Sequence, residues 1–247
     1  MDSFYKYIAF WWLPYLSNLE LKNEIVYDYL RNITDTIVLR DIIEKFKIRN
    51  VSFFHNLLKF SALNIWNIFS STNISGFSKS QNQKISTTTI LDYLDYLKQA
   101  YVINECPRYD IKWKKVFEIR QKYFFTDIWL RNVIVGWYRK SDISWILENI
   151  VFMSLKSNWW DIKIWEINDL EVDFVAEKNG QIIYVQVAYI IEKDETLKRE
   201  LSSLEQIKDN WSKYLITTDT YEKNEKINGI NLMNIKEFIV WVEKWEV

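Results

Sequence analysis

The sequence predicts a mixed α+β protein: a helical amino-terminal segment, a winged helix-turn-helix, and then an α/β domain. Apolar residues recur at helical spacing in the first half, and short strand-like runs alternate with helical patterns in the second. The 247 residues are 49% hydrophobic and 26% charged, with a formal net charge of −1. This composition is typical of a globular chain without a global attraction to nucleic acid.

The first half carries the order of elements that defines a winged helix-turn-helix. Residues 19–46 have the pattern of one long or two consecutive amphipathic helices. Asn50 and Ser86 are predicted N-caps of two later helices, because Asn and Ser accept hydrogen bonds from the first helical N–H groups. The elements predicted after residue 50 are helices over 51–69, 76–82 and 87–100 and strands over 101–104 and 115–125. We therefore assign residues 1–50 to a helical segment and 51–135 to the winged helix.

The pattern changes in the second half, which we predict to be one α/β domain over residues 136–247. Strand-like runs here are short and rich in β-branched residues, and helical segments flank them. The predicted helices cover 145–157, 192–208 and 235–243, and the predicted strands lie near 162–167, 170–176, 182–188 and 214–217.

One hairpin in this domain brings polar residues together. Asn179-Gly180 is a strong two-residue turn signal, and such a turn pairs Lys178 with Gln181. The same register sets Asp173 opposite Gln186 and Glu171 opposite Ala188, all on one face. With an acidic residue on the preceding helix, this is the layout of the PD-(D/E)XK nuclease-like fold. Its motif positions would be filled by Glu148, Asp173, Gln186 and Ala188.

These four residues predict an incomplete active site. Metal-assisted phosphodiester cleavage needs oxygen ligands for Mg²⁺ and a cation near the scissile phosphate. Glu148 and Asp173 are candidate metal ligands, whereas Gln186 offers a neutral carbonyl and Ala188 offers no functional group. We therefore predict an inactive relative of that fold, without a catalytic residue. The alternatives are a metal-dependent nuclease whose lysine is displaced, for example to Lys178 or Lys193, and an unrelated sheet on which Asp173 is a polar surface residue.

The predicted ribbon of the winged helix is basic and is the candidate DNA-binding surface. Its cations can neutralise phosphates as a wing does. The candidate residues are Arg108, Lys112, Lys114, Lys115, Arg120 and Lys122. The predicted recognition helix favours the opposite conclusion, because Asp92 and Asp95 on its outer face repel phosphate. A protein-interaction module with a solvated charged ribbon remains an equal alternative.

Several other chemistries have no basis in the sequence. His55 is the single histidine and Cys106 the single cysteine, so His-based metal sites and disulfides lack partners. The chain has no G-x-x-x-x-G-K-[ST] loop, and we expect no cofactor in it and no ATP hydrolysis by it alone. No apolar run reaches the roughly 18 to 20 residues of a membrane helix, and no signal peptide is visible. We expect a cytoplasmic location and no membrane partner.

Tryptophan is unusually frequent and glycine unusually rare. The chain has 13 Trp and 4 Gly, whereas a typical glycine content of about 7% would give about seventeen. Several Trp stand where a turn or helix end favours glycine, as at Trp11-Trp12-Leu13-Pro14, Trp113 and Trp159. Our hypothesis is that many of these codons are UGA, read as glycine in the source cell. The alternative is a genuinely Trp-rich protein.

Five strings distributed over nearly the whole chain carry a family resemblance. They are Tyr7 to Tyr15 (YIAFWWLPY), Arg40 to Ile43 (RDII), Tyr123 to Asn132 (YFFTDIWLRN), Leu147 to Val151 (LENIV) and Val172 to Ala176 (VDFVA). The chain resembles the carboxyl-terminal half of a prokaryotic AAA-type ATPase family that ends in a domain of unknown function. In that family the first string reads Gly-Gly-Leu-Pro and the third Thr-Asp-Ile-Gly-Leu-Arg-Asn. The departures are Trp in this chain, which favours the codon hypothesis.

The resemblance implies a function as well as a domain order. Members have an amino-terminal P-loop ATPase module, a winged helix and a nuclease-like domain that often lacks a complete active site. It implies that residues 1–50 are a helical lid remnant and 136–247 a degenerate restriction-endonuclease-like domain. We expect a fragment or a split gene, with ATP and Mg²⁺ bound only by the ATPase module, which is a separate or upstream partner. The expected function is a non-catalytic region that binds DNA or a protein.

Overall fold

The chain divides into two compact units with mixed α/β structure. The computed structural model describes residues 23–64, 76–77, 85–108, 121–136, 140–167, 170–191, 193–222 and 225–245. One unit comprises Met1–Glu105 with Tyr123–Lys140, and the other Cys106–Lys122 with Ser141–Val247. The mixed α/β class predicted from the sequence is confirmed by helices and two sheets. The three-domain division at residues 50 and 135 stays a prediction.

The first unit is mainly helical. Its helices are α1 (Asn23–Thr34), α2 (Ile43–Phe46), α3 (Val51–Leu63), α4 (Thr87–Gln99) and α5 (Ile128–Val135). A π-helical stretch, Asp35–Ile42, runs from α1 into α2 without a break. Strands β1 (Ile103–Cys106) and β2 (Lys122–Phe125) form a two-stranded sheet, whose end residues Cys106 and Lys122 belong to the second unit. The remainders of the helices predicted over 51–69 and 76–82 and of the strand predicted over 115–125 lie outside the described residues.

Side-chain caps fix where two of these helices begin, as predicted. The Asn50 side chain accepts a hydrogen bond of 3.0 Å from the backbone N–H of Phe53 at the start of α3. The Ser86 Oγ accepts one of 3.1 Å from the N–H of Thr89 at the start of α4. Each cap pairs an N–H group that the helix itself leaves without a partner.

Aromatic rings and one buried arginine hold the first unit together. Phe54 of α3 meets Tyr93 of α4 edge to face, with ring centroids 5.6 Å apart. Arg131 of α5 is fully buried, and its Nε donates a 2.9 Å hydrogen bond to the carbonyl of Ala62 in α3. Arg131 belongs to one of the strings that carry the family resemblance, so that string has a structural role here.

The second unit is built on a six-stranded sheet. Its elements are α6 (Ile143–Ser157), β3 (Asp161–Ile167), β4 (Leu170–Lys178), β5 (Gln181–Val187), α7 (Asp194–Glu205), β6 (Ser212–Thr217), β7 (Lys226–Ile227), β8 (Ile230–Asn234) and α8 (Ile235–Glu243). The strand order is β3-β4-β5-β6-β8-β7. The first three strands are antiparallel neighbours, β6 runs parallel to β5, and β8 parallel to β6. Strand β7 pairs antiparallel with β8 at the edge.

The hairpin between β4 and β5 has the predicted register. Lys178 pairs with Gln181 and Phe174 with Val185. The turn residues Asn179 and Gly180 have φ angles of +52° and +78°, as a type I′ turn requires. This register is observed from Lys178 to Phe174, beyond which β4 is irregular, because Val175 pairs with Lys163 of β3 but Val172 pairs with Trp165. The predicted common face is therefore wrong: Asp173 is directed at Lys122, which also approaches Glu148 of α6, whereas Ala188 packs with Leu201 of α7 on the other face of the sheet.

Helices cover both faces of the sheet. Leu201 and Leu204 of α7 share a buried apolar core with Leu215 of β6. On the other face, the Phe152 ring of α6 packs on Phe174 of β4, with centroids 6.0 Å apart. Helix α8 packs on the same face as α6, where Phe238 and Tyr214 meet. Polar side chains come together at the start of β4, next to these apolar layers.

Candidate functional site

Four charged side chains of the second unit form what we call the acidic cluster: Lys122, Glu148, Glu171 and Asp173. Lys122 begins β2, Glu148 lies on α6, and the other two lie near the start of β4. The Lys122 Nζ contacts Glu171 Oε1 directly and lies 3.5 Å from Glu148 Oε2 and 4.0 Å from Asp173 Oδ1. A single ammonium group therefore faces three carboxylates.

The acidic cluster is buried except at one residue. The side chain of Lys122 is 4% exposed, and those of Glu148 and Asp173 are 13% and 9% exposed. Glu171 is 37% exposed. Glu171 therefore forms the solvent side of the cluster, and the ammonium group lies behind it. Ion pairs at such burial are held more tightly than those on a surface, because water screens them less.

The sheet holds the carboxylate of Asp173 in place. Its Oδ2 accepts a 2.8 Å hydrogen bond from the backbone N–H of Val187. The backbone N–H of Asp173 donates to Gln186 Oε1 at 3.3 Å, and Gln186 Nε2 donates to Glu200 Oε2 of α7 at 3.2 Å. The Gln186 amide therefore bridges β4 and α7, with its oxygen engaged by backbone.

Ala188 lies in apolar surroundings. Its N–H donates a 2.9 Å hydrogen bond to the carbonyl of Ile216, which extends the pairing of β5 with β6. The methyl group is buried in the core that contains Leu201 and Leu215. A lysine at this position would have to leave that core, so the chain has no functional group where the motif requires a cation.

Burial and mutual charge shift the protonation of the acidic cluster. Burial raises the pKa of Glu148, and the nearby Lys122 ammonium opposes that shift. Burial, reinforced by the charge of Glu148, raises the pKa of Asp173 well above its ordinary value. Burial alone would lower the pKa of Lys122, but the charges of the three carboxylates outweigh it and raise that pKa. Lys122 therefore stays charged at any physiological pH.

The donor set can be tested against the Mg²⁺ that a complete PD-(D/E)XK motif would bind. Within the described ranges, no three His, Cys, Asp or Glu side chains are arranged to hold a metal ion. The two candidate ligands, Glu148 and Asp173, direct oxygens at an ammonium group. Mg²⁺ needs near-octahedral oxygen ligation at about 2.0–2.1 Å. The residues present do not fit that ion.

The predicted DNA-binding residues have separate outcomes. Arg108 is half-buried and its backbone bridges to Ile164 of β3. Lys122 is buried among carboxylates and cannot reach a phosphate, unlike the predicted exposed wing residue. The remaining four candidates lie outside the described residues: Lys112, Lys114, Lys115 and Arg120. On α4, Asp92 and Asp95 are exposed, as the sequence predicts.

The other candidates do not converge on a second site. His55 is exposed on α3, and the buried Cys106 directs its Sγ at the carbonyl of Ile162, 3.7 Å away. The Lys178 Nζ lies 6.0 Å above the Trp160 ring, and Lys193 is exposed just before α7. Among the described residues, Lys122 is the lysine that reaches the carboxylates, and no local sequence pattern pointed to it.

The chain belongs to the family described as a domain of unknown function (DUF8612), whose model matches residues 1–141. It is 32% identical to an uncharacterised protein of Haemophilus influenzae, over 85% of this chain and 52% of that protein. It is 29% identical to an uncharacterised protein of Methanocaldococcus jannaschii, over 98% of this chain and 55% of that protein. The chain therefore spans about half the length of these relatives.

Among solved structures, protein VC1899 from Vibrio cholerae aligns with 87% of this chain and 56% of its own. The sequence identity is 12% and the TM-score 0.29. Within the part of the chain that the structure describes, no helix has the length and apolar character needed to cross a membrane.

Proposed function

We propose that this chain is the non-catalytic carboxyl-terminal region of an AAA-type ATPase and binds DNA or a protein partner. It comprises a helical lid remnant, a winged helix and a degenerate PD-(D/E)XK nuclease-like domain. The P-loop module belongs to a separate or upstream part of the ATPase. The observation that carries the proposal concerns the four motif positions, Glu148, Asp173, Gln186 and Ala188. Two of them, Gln186 and Ala188, have no side chain that can act in catalysis.

The nuclease-like part of the proposal is supported by the way β4, β5 and α6 meet. Glu148 on the helix and Asp173 on the first hairpin strand approach a common cation, Lys122. Gln186 lies beside Asp173 on the second strand, where its Oε1 accepts the N–H of Asp173. This is the arrangement of an acidic helix residue, an acidic strand residue and a facing strand that the motif describes.

The non-catalytic part is supported by the surroundings of the other two positions. The oxygen of Gln186 is engaged by the backbone of Asp173 and its nitrogen by Glu200. Ala188 is buried among apolar side chains. An acidic face without a free cation also repels the phosphates of a substrate.

A second candidate function is a metal-dependent nuclease with a displaced lysine. The specific observation in its favour is Lys122, whose Nζ lies 4.0 Å from Asp173 Oδ1 although it comes from a different strand. In that reading Lys122 serves as the cation that position 188 does not provide. A third candidate, a pure protein-interaction module, is favoured by the exposed carboxylates of Asp92 and Asp95 on α4.

One experiment separates the three candidates. Fluorescence anisotropy of labelled duplex and single-stranded DNA is measured with the full chain in Mg²⁺ at several salt concentrations, and the same samples are run on a gel. Salt-sensitive binding with intact DNA is the expected result. Mg²⁺-dependent cleavage that is lost in Asp173→Ala would refute the non-catalytic proposal. The absence of binding even at low salt would favour the protein-interaction module.

A further inference from the structure

We infer that the cation of the acidic cluster is the Lys122 ammonium group, and that this group excludes a divalent metal ion from Glu148 and Asp173. The inference rests on the proposed function, because it concerns the face where the nuclease-like resemblance implies Mg²⁺. It assigns Lys122 the role of counter-ion to the carboxylates on that face. The cluster is an internal network organised around Lys122, not a vacant catalytic centre.

The geometry of the ammonium group carries the first step. Lys122 Nζ contacts Glu171 and lies 3.5 Å from an oxygen of Glu148 and 4.0 Å from one of Asp173. The ammonium group donates a hydrogen bond to Glu148, and it forms ion pairs with Glu171 and Asp173. A metal ion bound by the same oxygens would lie against a positive charge at a few ångströms, in a buried site where that repulsion is weakly screened.

Burial makes this arrangement hard to reverse. The side chain of Lys122 is 4% exposed, so it has no route to solvent without rearrangement of its neighbours. Leaving the cluster would also strand buried carboxylates without a counter-charge, which is strongly unfavourable. Lys122 therefore differs from a surface lysine that swings aside when a metal ion arrives.

The remaining ligand capacity of the face is also engaged. Asp173 directs its second oxygen at the N–H of Val187, 2.8 Å away. The oxygen of Gln186 accepts from the Asp173 backbone. An incoming ion would have to break these hydrogen bonds of the sheet in addition to displacing the ammonium group.

The inference is tested by removing the lysine and titrating with Mn²⁺ alone. Isothermal titration calorimetry is run on the unchanged chain, on Lys122→Met and on Lys163→Met. Lys163 is a suitable control because it pairs with Asp161 at the surface, at 2.6 Å. We expect no Mn²⁺ binding by the unchanged chain or by Lys163→Met. Lys122→Met should bind at least about tenfold more tightly, because the two buried carboxylates and the partly exposed Glu171 then lack a counter-charge.

Three results would overturn the inference. The first is Mn²⁺ binding by the unchanged chain that Asp173→Asn abolishes. The second is a folded Lys122→Met chain that binds no better than the unchanged chain, and the third is equal binding by Lys163→Met. If Lys122→Met does not fold, the double variant Lys122→Met/Glu171→Gln, which removes one charge of each sign, is titrated and decides in the same way.

The outcome is separable from a failure of the proposed function. DNA cleavage on the gel would refute the non-catalytic proposal whatever the calorimetry gives. Mn²⁺ binding by the unchanged chain without any cleavage would refute only the role assigned to Lys122.

Discussion

Trp159 has a backbone conformation that suits glycine. It follows the C-cap of α6, its N–H donates to the Lys156 carbonyl at 3.1 Å, and the next N–H donates to Leu155 at 3.2 Å. These two bonds form a Schellman motif, whose left-handed residue is usually glycine. Trp159 has φ of +65° and is 88% exposed, so its ring gains little from burial. This residue supports the hypothesis of a UGA codon read as glycine.

We predict that Trp159→Gly stabilises the protein by about 1 kcal/mol, because a left-handed conformation costs a non-glycine residue roughly 1–2 kcal/mol. The matched control is Trp160→Gly. Trp160 is 4% exposed and meets Trp245 edge to face, with ring centroids 5.3 Å apart. Removing that ring should destabilise by about 3 kcal/mol or more. Urea unfolding of both variants is the measurement, and equal losses would count against the argument from φ.

The codon hypothesis itself has a direct measurement in the source cell. Mass spectrometry of native peptides that span Trp113, Trp129 and Trp159 reports the residue at each position. We expect glycine at 159, since the backbone there favours it. A tryptophan mass at all three positions would end the hypothesis.

Asp127 links the stability of the first unit to pH. Burial raises its pKa to about 7, against about 4 in an unfolded chain. The folded state therefore binds more protons between these values, and stability falls as pH rises from about 4 to about 7. We expect Asp127→Asn to reduce the loss between pH 5 and pH 8 by on the order of 2 kcal/mol.

Thermal unfolding at several pH values measures this effect. Asp161→Asn serves as the control, because the Asp161 side chain is 62% exposed. That variant should keep the pH dependence of the unchanged chain. An Asp127→Asn variant with the same dependence would show that another buried carboxyl is responsible.

At the scale of the element, two Asn-Gly turns join neighbouring antiparallel strands of the sheet. Asn179-Gly180 joins β4 to β5, and Asn228-Gly229 joins β7 to β8 with φ angles of +50° and +81°. In both turns the two central residues are left-handed, which matches the twist of the strands they connect. The turns therefore fix strand register through local backbone preference alone.

We predict that Gly180→Ala destabilises the protein by about 1 kcal/mol, because its φ of +78° is unfavourable for any side chain. A methyl group there has nothing within 4 Å, so the effect is conformational and not steric. The matched control is Gly76→Ala, where the space is equally open and no positive φ applies. It should be neutral or stabilising by up to about 1 kcal/mol. Urea midpoints of the two variants that move together would contradict this.

These elements also show where local sequence signals suffice. The caps at Asn50 and Ser86 and the Asn179-Gly180 register followed from neighbouring residues, and the structure confirms them. Strands β7 and β8 were not predicted, although Asn228-Gly229 carries the same signal as the first turn. Helix α5 was missed because its eight residues are too few to display a clear helical period before Gly136 ends it.

At the scale of the whole molecule, the acidic cluster depends on contacts that no local pattern contains. Lys122 lies 26 residues before Glu148 and more than 45 before either strand carboxylate. In the sequence Lys122 belongs to a run of basic residues, and that run predicts an exposed wing. Its burial follows from the fold of the second unit. The carboxylates were predictable from the helix and hairpin pattern of the motif, whereas their counter-ion was not.

The loss of Lys122 from the predicted wing sets a limit on DNA binding by the whole chain. Five candidate cations remain: Arg108, Lys112, Lys114, Lys115 and Arg120. At about −0.9 per phosphate neutralised, the slope of log Kobs against log salt should be no steeper than about −4.5.

Reversing the charge of Lys112, Lys114 and Lys115 together should make that slope about 3 units shallower and weaken binding on every DNA sequence. Lys163→Gln, which alters a surface pair outside the wing, should leave the slope unchanged in the same anisotropy titrations. A triple variant with the original slope would exclude the predicted wing as the docking surface, and the protein-interaction module would then be the better account of the region predicted as a winged helix.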